Sequence, residues 1–72
     1  MEKKNRIPRK FSRITGKMLI ETSATKPGDI IHLYKNDLGY LGLNTRTGLY
    51  AYYFPSMLRN GSIFELLEVI PV

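Results

Sequence analysis

The chain has no cysteine, no tryptophan and a single histidine in 72 residues. Without cysteine there are no disulfides and no thiolate metal ligands. Small secreted domains usually depend on such staples, so the composition suits a reducing compartment, and cytoplasmic localisation is the expectation. No apolar run approaches the roughly 18–20 residues that cross a bilayer as a helix. The basic N-terminus is not followed by the apolar stretch of about 7–15 residues that a signal peptide needs. His32 lies between Ile31 and Leu33 with no second ligand or orienting group signalled. Neither a metal site nor a nucleophile–base pair is indicated. Gly39, Gly42 and Gly48 lack the spacing and the following Lys-Ser/Thr of a phosphate loop. The expectation is a protein that is not an enzyme and holds no cofactor or metal.

What the chain does have is charge of one sign at one end. Lys3, Lys4, Arg6, Arg9, Lys10, Arg13 and Lys17 fall within the first 17 residues, opposed only by Glu2. The other 55 residues hold four basic and five acidic side chains. The formal charge of +5 therefore resides in the N-terminal segment. Like charges interrupted by Pro8 gain nothing from compaction until an anionic partner arrives. Residues 1–16 are accordingly expected to form a basic, flexible arm, and 17–72 the folded domain, with Phe11 and Ile14 available to pin the arm's end.

Turn signals divide the domain into short extended runs. Lys17–Glu21 is the first strand candidate, followed by a polar loop closed by Pro27-Gly28. Asp29–Tyr34 is the second, Leu38–Asn44 the third and Leu49–Phe54 the fourth, with tight turns at 35–37 and 45–48. Gly48 suits a backbone turn of positive φ. Pro55 ends the fourth strand. Ser56–Arg59 is long enough for one helical turn, with Ser56 as a candidate cap. Ile63–Ile70 reads as a last strand because Val69-Ile70 favours extension, although its first half also suits a short helix. The expected core is Ile20, Ile31, Leu33, Leu41, Leu43, Phe54, Leu58, Leu67 and Val69.

The fold class expected is all-β. The order of elements, with Gly28-Asp29-Ile30-Ile31 opening the second strand and Phe54-Pro55 before a short turn, resembles the SH3-like barrel. The resemblance implies five antiparallel strands closed into a small barrel, with a 3₁₀ turn at Pro55–Leu58 before the last strand. The polyproline groove of the eukaryotic peptide-binding modules needs aromatics and a tryptophan that are missing here. The chain is more similar to the short-looped prokaryotic and phage SH3-like domains, whose partners include nucleic acid, ribosomes and proteins.

Two functional expectations follow. In the first, the protein is a small nucleic-acid-associated accessory protein. Lys3, Lys4, Arg6, Arg9, Lys10, Arg13 and Lys17, with Arg46 at a hairpin tip, contact the phosphates of DNA or RNA. In the second, it is a protein-binding module or inhibitor that docks on a larger partner through a tyrosine-rich surface, while the basic arm seeks an acidic protein surface. Tyr40, Tyr50, Tyr52 and Tyr53 crowd two adjacent strands, and a domain this small does not satisfy so many buried hydroxyls. Alternation puts Tyr50, Tyr52 and Phe54 on one face and Ala51 and Tyr53 on the other, with Tyr50 or Tyr52 the favoured contact. Association of copies through edge strands is compatible with either reading.

Overall fold

A computed structural model describes residues 4–72. Strands β1 (Arg13–Met18), β2 (Ile30–Asn36), β3 (Gly39–Asn44) and β4 (Leu49–Tyr53) are followed by helix α1 (Pro55–Arg59) and strand β5 (Phe64–Ile70). All pairings are antiparallel, and the strands form one sheet in the order β4-β3-β2-β1-β5. The two tight hairpins fall where turn chemistry places them. Asn36 pairs with Gly39 around Asp37-Leu38, and the Asn36 Oδ1 accepts the N–H of both Leu38 and Gly39. Between β3 and β4, Gly48 takes φ +74° and donates its N–H to the Asn44 carbonyl at 2.8 Å.

Four expectations are corrected. The sheet is open: β4 and β5 lie at opposite edges and do not pair, so there is no SH3-like barrel. The segment before β5 is α-helical rather than 3₁₀. The Leu58 N–H reaches back four residues to the Phe54 carbonyl at 3.2 Å, and Pro55 supplies a pre-set φ at the first helical position. Phe54, not Ser56, occupies the cap position, and it makes no side-chain cap bond. The first strand is Arg13–Met18 rather than Lys17–Glu21, which moves it into the segment expected to be arm.

An open sheet must cover its apolar face by other means. Ile14, Met18, Ile31, Leu33, Tyr53 and Phe64 line that face. Leu58 from α1 and Phe11 from the N-terminal segment close over it, with Ile7 packed alongside. Two glycines make room for the large rings. A Cβ on Gly16 would fall inside the Phe64 ring, and one on Gly42 would stand 2.7 Å from the Tyr53 Cδ1 and 2.8 Å from the Ile31 Cγ2. The register between β1 and β5 shifts at Thr15/Gly16, beneath that ring.

This packing explains which core expectations fail. Ile31, Leu33 and Leu58 are fully buried. In β3 the inward positions belong to Gly42 and Asn44, so Leu41 and Leu43 lie half-buried on the outer face. Phe54 is 71% exposed because it precedes α1 beyond the end of β4, and Ile20, Leu67 and Val69 are exposed as well, although Val69 stands opposite the inward Ile14 on the edge strand β5.

Residues 4–12 are tied to the body. Lys4 forms an isolated antiparallel bridge with Asn60, and the Asn5 N–H donates to the Arg59 carbonyl at 2.8 Å. The Asn5 Nδ2 donates to the carbonyls of Leu58 (2.9 Å) and Phe64 (2.6 Å), joining the end of α1 to the start of β5. No helix among the described residues is long and apolar enough to cross a membrane.

Candidate nucleic-acid interface

The basic residues singled out by sequence separate into two groups. Arg13 and Lys17 stand on the outer face of β1, where the register sets them beside β5, and each reaches a glutamate there. Arg13 Nη2 lies 3.8 Å from Glu68 Oε1, and Lys17 Nζ lies 3.8 Å from Glu65 Oε1. Exposed pairs of this kind contribute about 0–1 kcal/mol, and a stronger anion displaces them cheaply. Lys4, Arg6, Arg9 and Lys10 are exposed and pair with no acid among the described residues. Lys3 lies outside the described residues.

Arg46 is committed elsewhere. Its Nε donates to the Asp29 Oδ1 at 2.6 Å and its Nη2 to the Asp29 Oδ2 at 3.1 Å. The same carboxylate accepts the Asn44 Nδ2 at 2.7 Å and the Lys26 N–H at 2.8 Å. Asp29 is buried, and the Arg46 hydrogen bonds, followed by those from Asn44 and Lys26, hold its carboxyl well below the usual carboxylate range. The bond to Asp29 likewise raises Arg46. This cluster fastens the β3–β4 hairpin to the loop before β2, so Arg46 is a structural cation rather than a hairpin-tip finger.

The body adds cations that the sequence does not place with the N-terminal segment. Arg59 is held next to Lys4 by the bonds that Asn5 and Asn60 make. At the other end of the segment, Arg9 and Lys10 share an open cleft of about 300 Å³ with Lys35, Phe11, the Asn36–Asp37 turn and Val72. Lys35 is steadied there, its Nζ 5.6 Å from the centroid of the Tyr40 ring, which itself stacks parallel on Phe11 at 6.3 Å. Two basic groupings result: the backbones of Lys4 and Arg59 are neighbours at one end of the segment, and Arg9 and Lys10 meet Lys35 at the other, with Arg6 exposed between them in sequence. Of the five described acids, Asp29, Glu65 and Glu68 are taken by Arg46, Lys17 and Arg13, leaving Glu21 and Asp37. No local pattern marks Lys35 or Arg59 as members. Their proximity comes from the way Asn5 and Phe11 anchor the segment to the body.

The four tyrosines also divide. Tyr53 is buried over Gly42, and burial pushes its phenol up. Tyr40 is half-buried beneath Lys35. Tyr50 and Tyr52 are 60% and 50% exposed on the outer face of the edge strand β4. Among the described residues no group of three or more His, Asp or Glu is placed to hold a metal ion. Comparison of the chain with known protein families, with characterised proteins and with solved structures gives no match.

Proposed function

We propose that this protein is a small, non-enzymatic accessory protein of the cytoplasm that binds the phosphate backbone of nucleic acid through the strip formed by Lys4, Arg6, Arg9, Lys10, Lys35 and Arg59. The observation that carries the reading is the junction of Lys35 and Arg59 with the N-terminal segment. A solvating tail has no need of cations from the body, whereas a backbone-binding surface gains from every one that lies in line. Anchoring by Asn5 and Phe11 orders part of the strip before binding, which lowers the entropy lost on association. The strip carries long, flexible cations and no array of side chains suited to base edges, so binding is indifferent to sequence.

Six phosphate contacts give a slope of log affinity against log salt of about −5 for duplex DNA and about −4 for single strands. Fluorescence anisotropy with labelled duplex and single-stranded oligonucleotides across a salt series measures it. Replacing Arg6, Arg9 and Lys10 together by Gln is expected to weaken binding and make the duplex slope shallower by nearly 3. Binding with an unchanged slope in that variant, or no binding by the parent chain at low salt, would reject the reading.

A further inference from the structure

The edge strand β4 plays no part in the basic strip, and its chemistry is different. Its sequence, Leu49-Tyr50-Ala51-Tyr52-Tyr53, contains no charge. Leu49, Tyr50 and Tyr52 are at least half exposed, as are Leu38 and Phe54 beside them. Edge strands are usually protected from pairing by charged side chains, proline or a bulge. The opposite edge, β5, carries Glu65 and Glu68. Within β4 there is no such protection.

The bonding phase shows which peptide groups this edge offers. The Thr45 N–H donates to the Ile30 carbonyl at 3.0 Å. By alternation Leu43 and Leu41 then direct their peptide groups at β2, opposite His32 and Tyr34. Leu43 and Leu41 are therefore the non-bonded partners of Tyr50 and Tyr52 across β3–β4. The N–H and C=O groups of Tyr50 and Tyr52 point away from β3, out of the free edge. The Tyr50 ring is exposed there, whereas the Tyr52 ring leans back over β3, its hydroxyl accepting a hydrogen bond from the Asn36 Nδ2 of β2 at 3.0 Å.

We infer that β4 pairs antiparallel with β4 of a second copy of this chain, about a two-fold axis at Ala51. Three observations favour a second copy over another occupant. The strand is nearly palindromic about Ala51. Pairing Tyr50 with Tyr52 of the second copy uses the outward peptide groups in phase and forms four backbone hydrogen bonds around the axis. Ala51 then meets its own counterpart in a non-bonded pair, where Cα atoms approach most closely in an antiparallel ladder. On the outer face the same register sets Tyr50 against Tyr52 twice over, a favourable cross-strand aromatic pairing. On the core face it brings together two copies of the apolar cleft of about 330 Å³ that contains Ala24, Ala51, Tyr53 and Met57. No cation of the basic strip lines this cleft or the one beside Leu38 and Phe54, so repulsion between the strips does not act within the contact.

The contact is one short strand wide, so association is weak and concentration-dependent. Sedimentation equilibrium of the full chain over roughly 10 µM to 1 mM, a range suited to weak interfaces, is expected to show the mass rising toward that of a dimer. Amide exchange at Tyr50 and Tyr52 is expected to slow at least several-fold over the same range. Tyr50→Lys, at an exposed position, places like charges near the axis. Tyr50→Pro removes an outward N–H that β3 does not use. Both variants are expected to remain monomeric with unchanged circular dichroism, whereas Tyr50→Phe dimerises like the parent. A parent chain that stays monomeric at the highest concentration overturns the inference and returns the surface to a different protein partner. A dimer that forms equally well in Tyr50→Lys, or one in which the Tyr50 and Tyr52 amides gain no protection, overturns it as well.

Discussion

Alanine at Gly16 tests the packing of the open sheet at its tightest point. The Phe64 ring occupies the space that a side chain at Gly16 would take, with Cε2 2.6 Å from an ideal Cβ and the ring's far end closer still. Both residues are fully enclosed, so the ring has no free direction in which to move. Overpacking of this kind costs about 1–3 kcal/mol. The usual preference for Ala over Gly within a strand offsets about 0.5–1 kcal/mol. A net loss of about 1–2 kcal/mol is expected, a large fraction of the roughly 5 kcal/mol available to so small a domain. Phe64→Leu removes the ring atoms that the methyl strikes, since leucine ends at its δ carbons. In that background Gly16→Ala is expected to be neutral or stabilising, giving a coupling energy of about 1.5–3 kcal/mol. Urea denaturation of the four proteins, followed by circular dichroism, measures each side of the cycle. Equal cost of Gly16→Ala in both backgrounds would refute the account of the ring and the glycine.

Other expectations concern single sites. Leu58→Ala is expected to cost about 2–5 kcal/mol, against about 1 kcal/mol for Leu41→Ala, because Leu58 is fully buried beneath the sheet and Leu41 lies half-buried on its outer face. Comparable losses in denaturation would mean that the faces of β3 are assigned wrongly. Asn5→Ala deletes two bonds to the carbonyls of Leu58 and Phe64 and is expected to cost about 1–3 kcal/mol in the same assay, with faster exchange of the Asn5 amide. The lowered carboxyl of Asp29 contributes stability that is fully present above the unfolded pKa of about 3.9 and is lost as pH falls below it. Melting between pH 7 and pH 2 is therefore expected to fall less steeply below pH 4 in Asp29→Asn than in the parent, and an identical acid limb would contradict the role of the Arg46–Asp29 cluster.

Much of the sheet was legible because turns are written in local chemistry. Gly28, Asn36, Gly48, Pro55 and Asn60-Gly61 mark the junctions, and β2 to β5 begin and end within two residues of the expected limits. The first strand was hidden by Gly16. With Ile14 and Met18 it completes a period-two apolar face, but its side chain is replaced by a ring from β5, and no local pattern shows that substitution. The same holds for β3, where leucines flank Gly42 and the natural reading puts them inside. Tyr53 and Ile31 fill the glycine's place instead and turn the leucines outward. Closure into a barrel was an inference from economy. Phe11, Ile7 and Leu58 cover the face without it, and only Leu58 among them was assigned to the core from sequence. At the basic segment, composition identified the cations. It did not show that Arg13, Lys17 and Arg46 face acids, or that Lys35 and Arg59 take places beside the others, since both facts depend on strand register and on the anchoring of Asn5.

The claim that the segment and the body form one anion-binding surface is tested most directly by leaving the segment untouched. In Lys35→Gln/Arg59→Gln every basic residue up to Lys17 is retained. The salt dependence of duplex binding, measured by anisotropy beside the parent chain, is expected to become shallower by nearly 2, because each cation in contact contributes about 0.9 to the slope. A slope equal to that of the parent would show that the segment binds alone and that the strip is not the binding surface.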